Sequence, residues 1–560
     1  MYFDYTVKIP EAKGKLVMKK IKNTTYINYE YDRIYNPETK TTTPKRTTIG
    51  KQHETDKTLM YPNPNYMKYF PEIELPDEVD RSARATLLST GGFIVIEKII
   101  KEYGLDKSLK KIIGKDYGLF LDLVSYSLLT EDNASSHYQY YARRHPLFTE
   151  NMKIYSDSKI SSFFQEITQD QATEFLNDWN LKRDHREKIY ISYDSTNKTC
   201  QAGDIDLAQF GHSKDGSGKP IINYAIAYDR TNSEPLFYED YPGSIVDVSE
   251  LQYMLEKASA YGYKRVGFIL DRGYFSEENI HYMDKMEYEF IIMMKGIKRL
   301  VRDEIIAHKG SFENDRGTSI REFKSNGITI PYKFKENDKN QRYLHIYYSS
   351  KKYQAEREAL EQKVDKLAST LKKHEGTKCK IDKSFEKYFN LIYQDEVFIM
   401  AEEKKDVVNK EMELCGYYCI LTSSNMSAKD ALRIYKSRDE SEKVFMEDKS
   451  YLGARTLRVH SEGSIEAKIF LGFIALIIRC KIYTSLNRYK SQIDTNPNYL
   501  CVPIVLEELD SIELHRDADG VYRLDHALTK TQKDILKAFG IDLEYVKKKV
   551  KEISERIGNK

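Results

Sequence analysis

The central part of this chain predicts an α/β fold, a mixed sheet covered by helices and interrupted by a β-containing insertion. Three observations predict it. Apolar runs of strand length recur as KIYISYDST (188–196), RVGFILDRG (265–273) and YEFIIMMK (288–295). They take their place with helical segments in the order β-β-β-α-β-α-β, and long apolar strands of this kind belong to a sheet covered on both faces. A further strand, GYYCILTSS (416–424), follows only after the differently patterned residues 296–415.

Residues 1–80 form an N-terminal β-rich, basic segment. TTYINYEYDRIYN alternates polar and apolar residues, NPETK supplies a turn, and a Thr-rich flank follows, which is hairpin patterning. PNPNYMKYFPEIELP (62–76) reads as a Pro-punctuated linker. Residues 81–184 read as helical, suited either to DNA binding or to plain support. Leu119–Leu129 is apolar nearly all round, hence buried, and SDSKISSFFQEI (156–167) opens with cap chemistry. Residues 185–295 form the first part of the core, with PIINYAIAYD (220–229) and LFYEDY (236–241) flanking the turn RTNSEP. Residues 296–415 form the insertion, with a strand RYLHIYYSS (342–350) and a charged helix carrying Leu360, Val364, Leu367 and Leu371 at heptad spacing. Residues 416–490 complete the core. Ser427 and Asp430 give a capping start to its first helix, and Gly453 gives a stop. Residues 491–560 read as a looser tail with a polar helical end.

The chain has 88 Lys and Arg against 86 Asp and Glu, so no global basicity announces a polyanionic partner. The local balance differs: residues 1–60 hold twelve bases against seven acids, and KGIKRLVR (295–302) and Lys547–Lys551 are basic runs. Six scattered cysteines without a CxxC pair read as reduced thiols in a cytoplasmic protein. No signal-peptide pattern opens the chain. The longest apolar run, Ile469–Ile478, is too short to span a bilayer and reads as a buried helix, so no membrane partner is expected.

The chemistry centres on Tyr435–Lys449, YKSRDESEKVFMEDK. On a helix, Tyr435, Arg438, Glu442 and Lys449 fall within about 60° of one another. The same stripe carries Ala428, Ala431, Phe445 and Leu452. An amphipathic helix with solvated charges would explain charged residues off the apolar stripe, but these lie on it, where charge needs a partner. Asp194 and Asp271, each at the end of an apolar strand, are candidates, because ligands of open α/β sheets bind at such ends. A lone strand-end aspartate is ordinarily a turn residue. Two of them with Glu442 make three hard oxygen ligands suited to Mg²⁺, and paired ions activate an attacking oxygen and stabilise a leaving one at phosphorus. Arg438 suits a bidentate phosphate contact and Lys449 a point charge. Tyr435 can donate to a phosphate oxygen. Glu462 and Glu466 are rival third carboxylates on a later segment.

These residues resemble a known family. Tyr435, Arg438, Glu442 and Lys449 match in type and spacing the Y-(2)-R-(3)-E-(6)-K signature of bacterial insertion-sequence DDE transposases, the insertion-sequence family-four superfamily. YDST around Asp194 and DRGYFS around Asp271 look like that family's two aspartate motifs, and GHSKDG (211–216) resembles a segment many members carry. The resemblance covers roughly residues 185–490. It implies a ribonuclease H-like core in which Asp194, Asp271 and Glu442 are both catalytic residues and ligands of two Mg²⁺ or Mn²⁺ ions, while Tyr435, Arg438 and Lys449 bind DNA phosphates. The activity implied is metal-dependent cleavage at transposon ends followed by 3′-OH strand transfer into target DNA. The partners implied are double-stranded DNA with terminal inverted repeats, target DNA, and a second copy of the chain in a synaptic complex, in the bacterial cytoplasm at the nucleoid. Some relatives stabilise a flipped base with a tryptophan of the insertion, whereas the single tryptophan here, Trp179, lies outside it. Alternatives are a domesticated or inactive relative that only binds DNA, and a metal-dependent nuclease without strand transfer.

Overall fold

The structure is a computed structural model that describes residues 2–3, 5–22, 24–71, 84–183, 188–200, 205–211, 218–245, 247–263, 265–334, 338–438, 456–459, 461–493, 497–517 and 520–558. The chain divides into two compact units. One comprises Met1–Ile94, Tyr140–Ile154 and Glu507–Lys560, the other Val95–Gln139 and Tyr155–Leu506.

In the first unit, β1 (Val7–Lys8), β2 (Leu16–Ile21), β3 (Thr24–Asn36), β4 (Thr41–Gln52) and β5 (Leu59–Pro62) form an antiparallel sheet in the order β1-β5-β4-β3-β2. The alternation in β3 and β4 sends Ile27 and Ile49 to one face, where they are buried with Val7, Met60 and Tyr66. Tyr66 comes from a short helix, Pro64–Tyr69, within the segment expected as a linker. It forms because Asn63 accepts from the amides of Asn65 and Tyr66 while Pro64 fits the first helical turn. A second sheet joins β6 (Leu87–Ser89), β19 (Glu513–Arg516) and β20 (Tyr522–Leu524). The C-terminal residues expected as a loose tail supply these two strands and, after them, two helices. The first helix starts on a Thr529–Gln532 capping box, and Ile535, Leu536, Val546, Val550 and Ile553 are buried.

The second unit is built on a large mixed sheet. Its strands are β7 (Ile189–Cys200), β8 (Ile221–Asp229), β9 (Glu234–Pro242), β10 (Val266–Leu270), β11 (Glu289–Met293), β12 (Ser319–Ile320), β13 (Ser325–Tyr332), β14 (Arg342–Tyr348), β17 (Tyr417–Thr422) and β18 (Thr456–Leu457). The order is β12-β13-β14-β17-β11-β10-β7-β8-β9, with β18 also pairing β7. The β7-β8-β9 meander is antiparallel, and β10 and β11 are parallel to β7. One face is covered by the helix Asp247–Ala260, whose Leu251, Met254 and Leu255 meet Tyr193, Ala227, Phe237 and Phe268. On the other face the helix Ala428–Lys436 sets Leu432 and Tyr435 against Ile269, Ile291 and Ile420. The helix Glu462–Lys490 sets Phe473 against Tyr238, with ring centroids 5.0 Å apart.

Residues 296–415, read in sequence as one insertion, divide in space. Strands β12, β13 and β14 extend the large sheet, with β14 pairing β17. Beyond β14 come the helix Ser350–Lys372 and a hairpin of β15 (Phe389–Gln394) and β16 (Val397–Glu403). Val364 and Leu371 of the heptad-like helix pack on Phe389, Phe398 and Val408, with Leu360 and Leu367 alongside, so its apolar stripe meets a hairpin.

The apolar run Ile469–Ile478 is the middle of a longer helix. Gly463–Lys490 is long and apolar enough, by length and composition, to cross a bilayer. It is instead packed as core: Phe470 lies 5.0 Å from Phe120 of the buried helix Tyr117–Thr130. Its Lys468 is buried as well, donating to the carbonyls of Asn133 and Arg458.

Candidate active site

Asp194 lies in the middle of β7, not at its end. The strand continues through Ser195–Cys200 because β8 stays paired with it as far as Thr199. The polar residues of this continuation are satisfied inside: Asn197 donates to Asn223 Oδ1 at 2.6 Å, and the hydroxyls of Thr199 and Thr456 share a bond of 2.9 Å. The ending expected at Asp194 does occur, but in its neighbour. β10 runs parallel to β7 with Leu270 opposite Tyr193, and its ladder stops there. Asp271 follows directly and opens a turn, Arg272–Tyr274, to which its side chain gives no cap. The two aspartates thus take matching positions on neighbouring parallel strands, each one residue past the Leu270–Tyr193 pair.

The helix Ala428–Lys436 brings the next two residues. Ser427 accepts from the Asp430 amide at its start, and Ala428, Ala431, Leu432 and Tyr435 form its buried stripe. Ser437 closes it, and Arg438 stands in the turn that follows. Arg230 donates to the Ser437 hydroxyl at 3.3 Å and so ties this helix end to the β8–β9 turn, a link no local sequence signal announces. Tyr435 donates to Asp271 Oδ1 at 3.2 Å. The Arg438 guanidinium lies 3.9 Å from Asp194 Oδ2 and 3.6 Å from Asp271 Oδ1. It also lies 5.5 Å from the centroid of the Tyr435 ring. Side-chain exposure is 10% for Arg438, 18% for Asp194 and 35% for Asp271, so the cluster is sheltered yet open to solvent on the Asp271 side.

Of the six residues read from sequence, four are brought together: Asp194, Asp271, Tyr435 and Arg438. Glu442 and Lys449 lie outside the described residues, as does the expected helix stop at Gly453. The rival Glu466 acts elsewhere. Burial first, then the charges of Glu239 and Glu466, push the Asp240 carboxyl up to about 6 against the pull of Lys257, which places Glu466 beside β9. Within GHSKDG only Gly211 is described. A Cβ there would fall 1.8 Å from the Gly243 carbonyl oxygen, a backbone approach that only glycine permits. Trp179 is a core residue, 2% exposed, donating to the Pro235 carbonyl at 3.0 Å.

Among the described residues no group of three or more His, Cys, Asp or Glu gathers to hold a metal ion. The pair Asp194 and Asp271 nevertheless fits one. Both offer hard carboxylate oxygens, and both already face a single cationic group, the Arg438 guanidinium. Two such oxygens on neighbouring strands, with a guanidinium and a phenol in reach, define a class of site suited to phosphodiester chemistry.

The family model for the transposase DDE domain matches residues 187–478, just over half of the chain, and the chain belongs to that family. It is a DDE transposase, a DNA-binding enzyme of DNA transposition, and enzymes of this kind generally work with divalent metal ions. No curated protein matches the chain in sequence. Among solved structures, a piggyBac transposase synaptic complex with hairpin DNA is similar over 84% of this chain and 74% of that one, at 9% identity and a TM-score of 0.33. A likeness that distant says nothing of this chain's own partners.

Proposed function

We propose that Asp194, Asp271 and Glu442 are the acidic triad of a ribonuclease H-like transposase core, and that they hold two Mg²⁺ or Mn²⁺ ions at the DNA phosphate. The observation that carries this is the meeting of Asp194 and Asp271 on adjacent parallel strands, both within 4 Å of one guanidinium. The strand order β9-β8-β7-β10-β11, an antiparallel meander followed by two parallel strands, supports the ribonuclease H-like reading. Glu442 follows Arg438 by four residues, and the complete Y-(2)-R-(3)-E-(6)-K spacing supports a place in the insertion-sequence family-four superfamily, hence a bacterial, cytoplasmic enzyme. The bound ions would polarise the phosphate and lower the pKa of an attacking hydroxyl. Arg438 and Lys449 would hold non-bridging phosphate oxygens, and Tyr435 would keep Asp271 oriented through its hydrogen bond. In the first reaction a water oxygen bonds to phosphorus at the transposon end and the P–O3′ bond breaks, freeing a 3′-OH. In the second, that 3′ oxygen attacks a target phosphodiester and releases the target's own 3′-OH. Two copies of the chain would hold the two ends in a synaptic complex.

The test is a gel assay of the full chain with inverted-repeat end DNA, target DNA and Mg²⁺. Cutting plus joining is expected. Cutting without joining would identify a nuclease, and binding alone a domesticated relative. Intact cutting by a Glu442→Ala variant would sink the triad.

A further inference from the structure

We propose that the outer face of the N-terminal sheet is a DNA-binding surface that takes the phosphate backbone of double-stranded DNA on a row of alternating lysines and tyrosines. Lys19 of β2 is paired with Tyr26 of β3, Tyr26 with Lys51 of β4, and Lys51 with Tyr61 of β5. Residues directly opposite in antiparallel strands project to the same face, so these four side chains form one line across four strands. The other face is the buried one, holding Ile27, Ile49 and Met60 under Tyr66. The row spans about 14 Å at three strand spacings, a flat patch and not a pocket for a small anion.

The row is chemically suited to a backbone. Lys51 Nζ stands 4.8 Å over the Tyr61 ring, which holds the cation in place while leaving its other hydrogens free to donate. Lys8, opposite Leu59, adds a cation beyond Tyr61. Along the edge, Lys13, Lys15, Lys20 and Lys22 are exposed, and residues 13–22 hold five lysines and no acid in a chain that is otherwise nearly balanced. Among the described residues, none of these lysines is in an ion pair. Such cations gain free energy from a polyanion by releasing its condensed counterions.

Protection of an edge strand against β-addition also favours lysine. That accounts for β2 but not for Lys51, which sits on the interior strand β4, nor for the tyrosines between the lysines. The surface precedes the family match at 187–478, so membership of the family does not itself assign it. The choice of DNA as the polyanion rests on the transposase reading.

The experiment measures binding of the full chain to a labelled duplex of about 30 base pairs by fluorescence anisotropy, in EDTA, across about 50 to 200 mM salt. EDTA suspends cleavage, so failure here refutes the surface while the cleavage assay tests the catalytic reading separately. The variant is Lys8→Gln, Lys19→Gln and Lys51→Gln combined, the lysines that project to this face. Every phosphate that is no longer neutralised makes the slope of log K against log salt shallower by about 0.9. A slope shallower by at least about 2 is expected, with affinity at the low-salt end weakened at least about tenfold. Lys19→Arg with Lys51→Arg keeps the charge and is expected to bind as the native chain does. Unchanged slope and affinity in the glutamine variant would overturn the proposal. So would equal weakening in the arginine variant, or a glutamine variant that aggregates while binding DNA normally.

Discussion

Arg438→Gln is expected to tighten divalent-metal binding while weakening cleavage, opposite effects from one change. The guanidinium sits 3.9 Å from Asp194 Oδ2 and 3.6 Å from Asp271 Oδ1, beyond hydrogen-bonding length but well within Coulomb range. Unit charges about 4 Å apart attract by about 4 kcal/mol at an effective dielectric of about 20. Asp271 is 35% exposed, and exposed pairs retain about 1 kcal/mol or less. Together the two contacts are worth about 1 to 2 kcal/mol, which a divalent ion must outcompete when it takes the same carboxylates. Removing the guanidinium returns that free energy, making metal binding about five- to thirty-fold tighter. Glutamine also lacks the bidentate phosphate fork, so turnover of end DNA falls. Titration calorimetry with Mn²⁺ on the full chain, without DNA, reads the first effect independently of activity. Affinity equal to or weaker than native would refute the reasoning, because Arg438 would then not compete for the two aspartates.

Asp194→Asn and Asp271→Asn are each expected to lower end cleavage by at least about 10³-fold while leaving duplex affinity in EDTA unchanged, a split that a folding defect would not give. Asp240→Asn is expected to change how stability depends on pH. Its carboxyl, pushed up to about 6 by burial and by Glu239 and Glu466, binds a proton in the folded state that the unfolded chain has already released. The native chain therefore loses stability as pH rises from about 4 to about 6. The asparagine variant loses less and is more stable at pH 7, by at most about 3 kcal/mol because Asp240 is only half-buried by its neighbours. Urea denaturation at pH 4 and pH 7 checks the sign, and a variant less stable at pH 7 would contradict it. Trp179→Ala is expected to cost about 3 to 5 kcal/mol of stability, read from the same denaturation curves. A stable variant whose cleavage products alone had changed would show that Trp179 acts on DNA and not in the core.

Much of the core was legible because burial imposes its period locally. The runs around Ile189, Val266, Glu289 and Tyr417 are strands, the all-apolar Leu119–Leu129 is a buried helix, and Ser427 caps the helix that carries Tyr435. Reading Asp194 as a strand end failed because Ser195–Thr199 is polar in sequence. Only distant residues, Asn223 and Thr456, supply the partners that let this polar stretch stay in the sheet. The strand RYLHIYY was visible, but nothing local could say that β14 pairs with β17, about seventy residues on, and so belongs to the main sheet. The buried run Ile469–Ile478 is a helix as read, within Glu462–Lys490, and the ammonium of Lys468 on it is held by two backbone carbonyls inside the unit.

The position of the candidate site follows from a change of partner along one strand. One edge of β7 is occupied by β8 from Ile191 to Thr199. The other edge is taken by β10 opposite Ile189–Tyr193 and by β18 opposite Thr199 and Cys200. Between them, beginning at Asp194, β7 has no ladder partner on that side among the described residues. A sheet that opens in this way leaves a polar side chain beside a notch instead of beneath a neighbouring strand, and Asp271 stands at the lip where β10 stops. Tyr435 and Arg438 reach the same notch from the helix packed on Ile269, two residues before Asp271. The register explains why a one-residue shift between β10 and β7 would be so damaging. It would carry Asp271 off the position following Leu270 opposite Tyr193 and turn its side chain toward the opposite face, where Leu251 and Met254 pack. Selection for the two carboxylates is therefore selection for this register, which the apolar residues Ile269 and Phe268, buried on opposite faces, enforce.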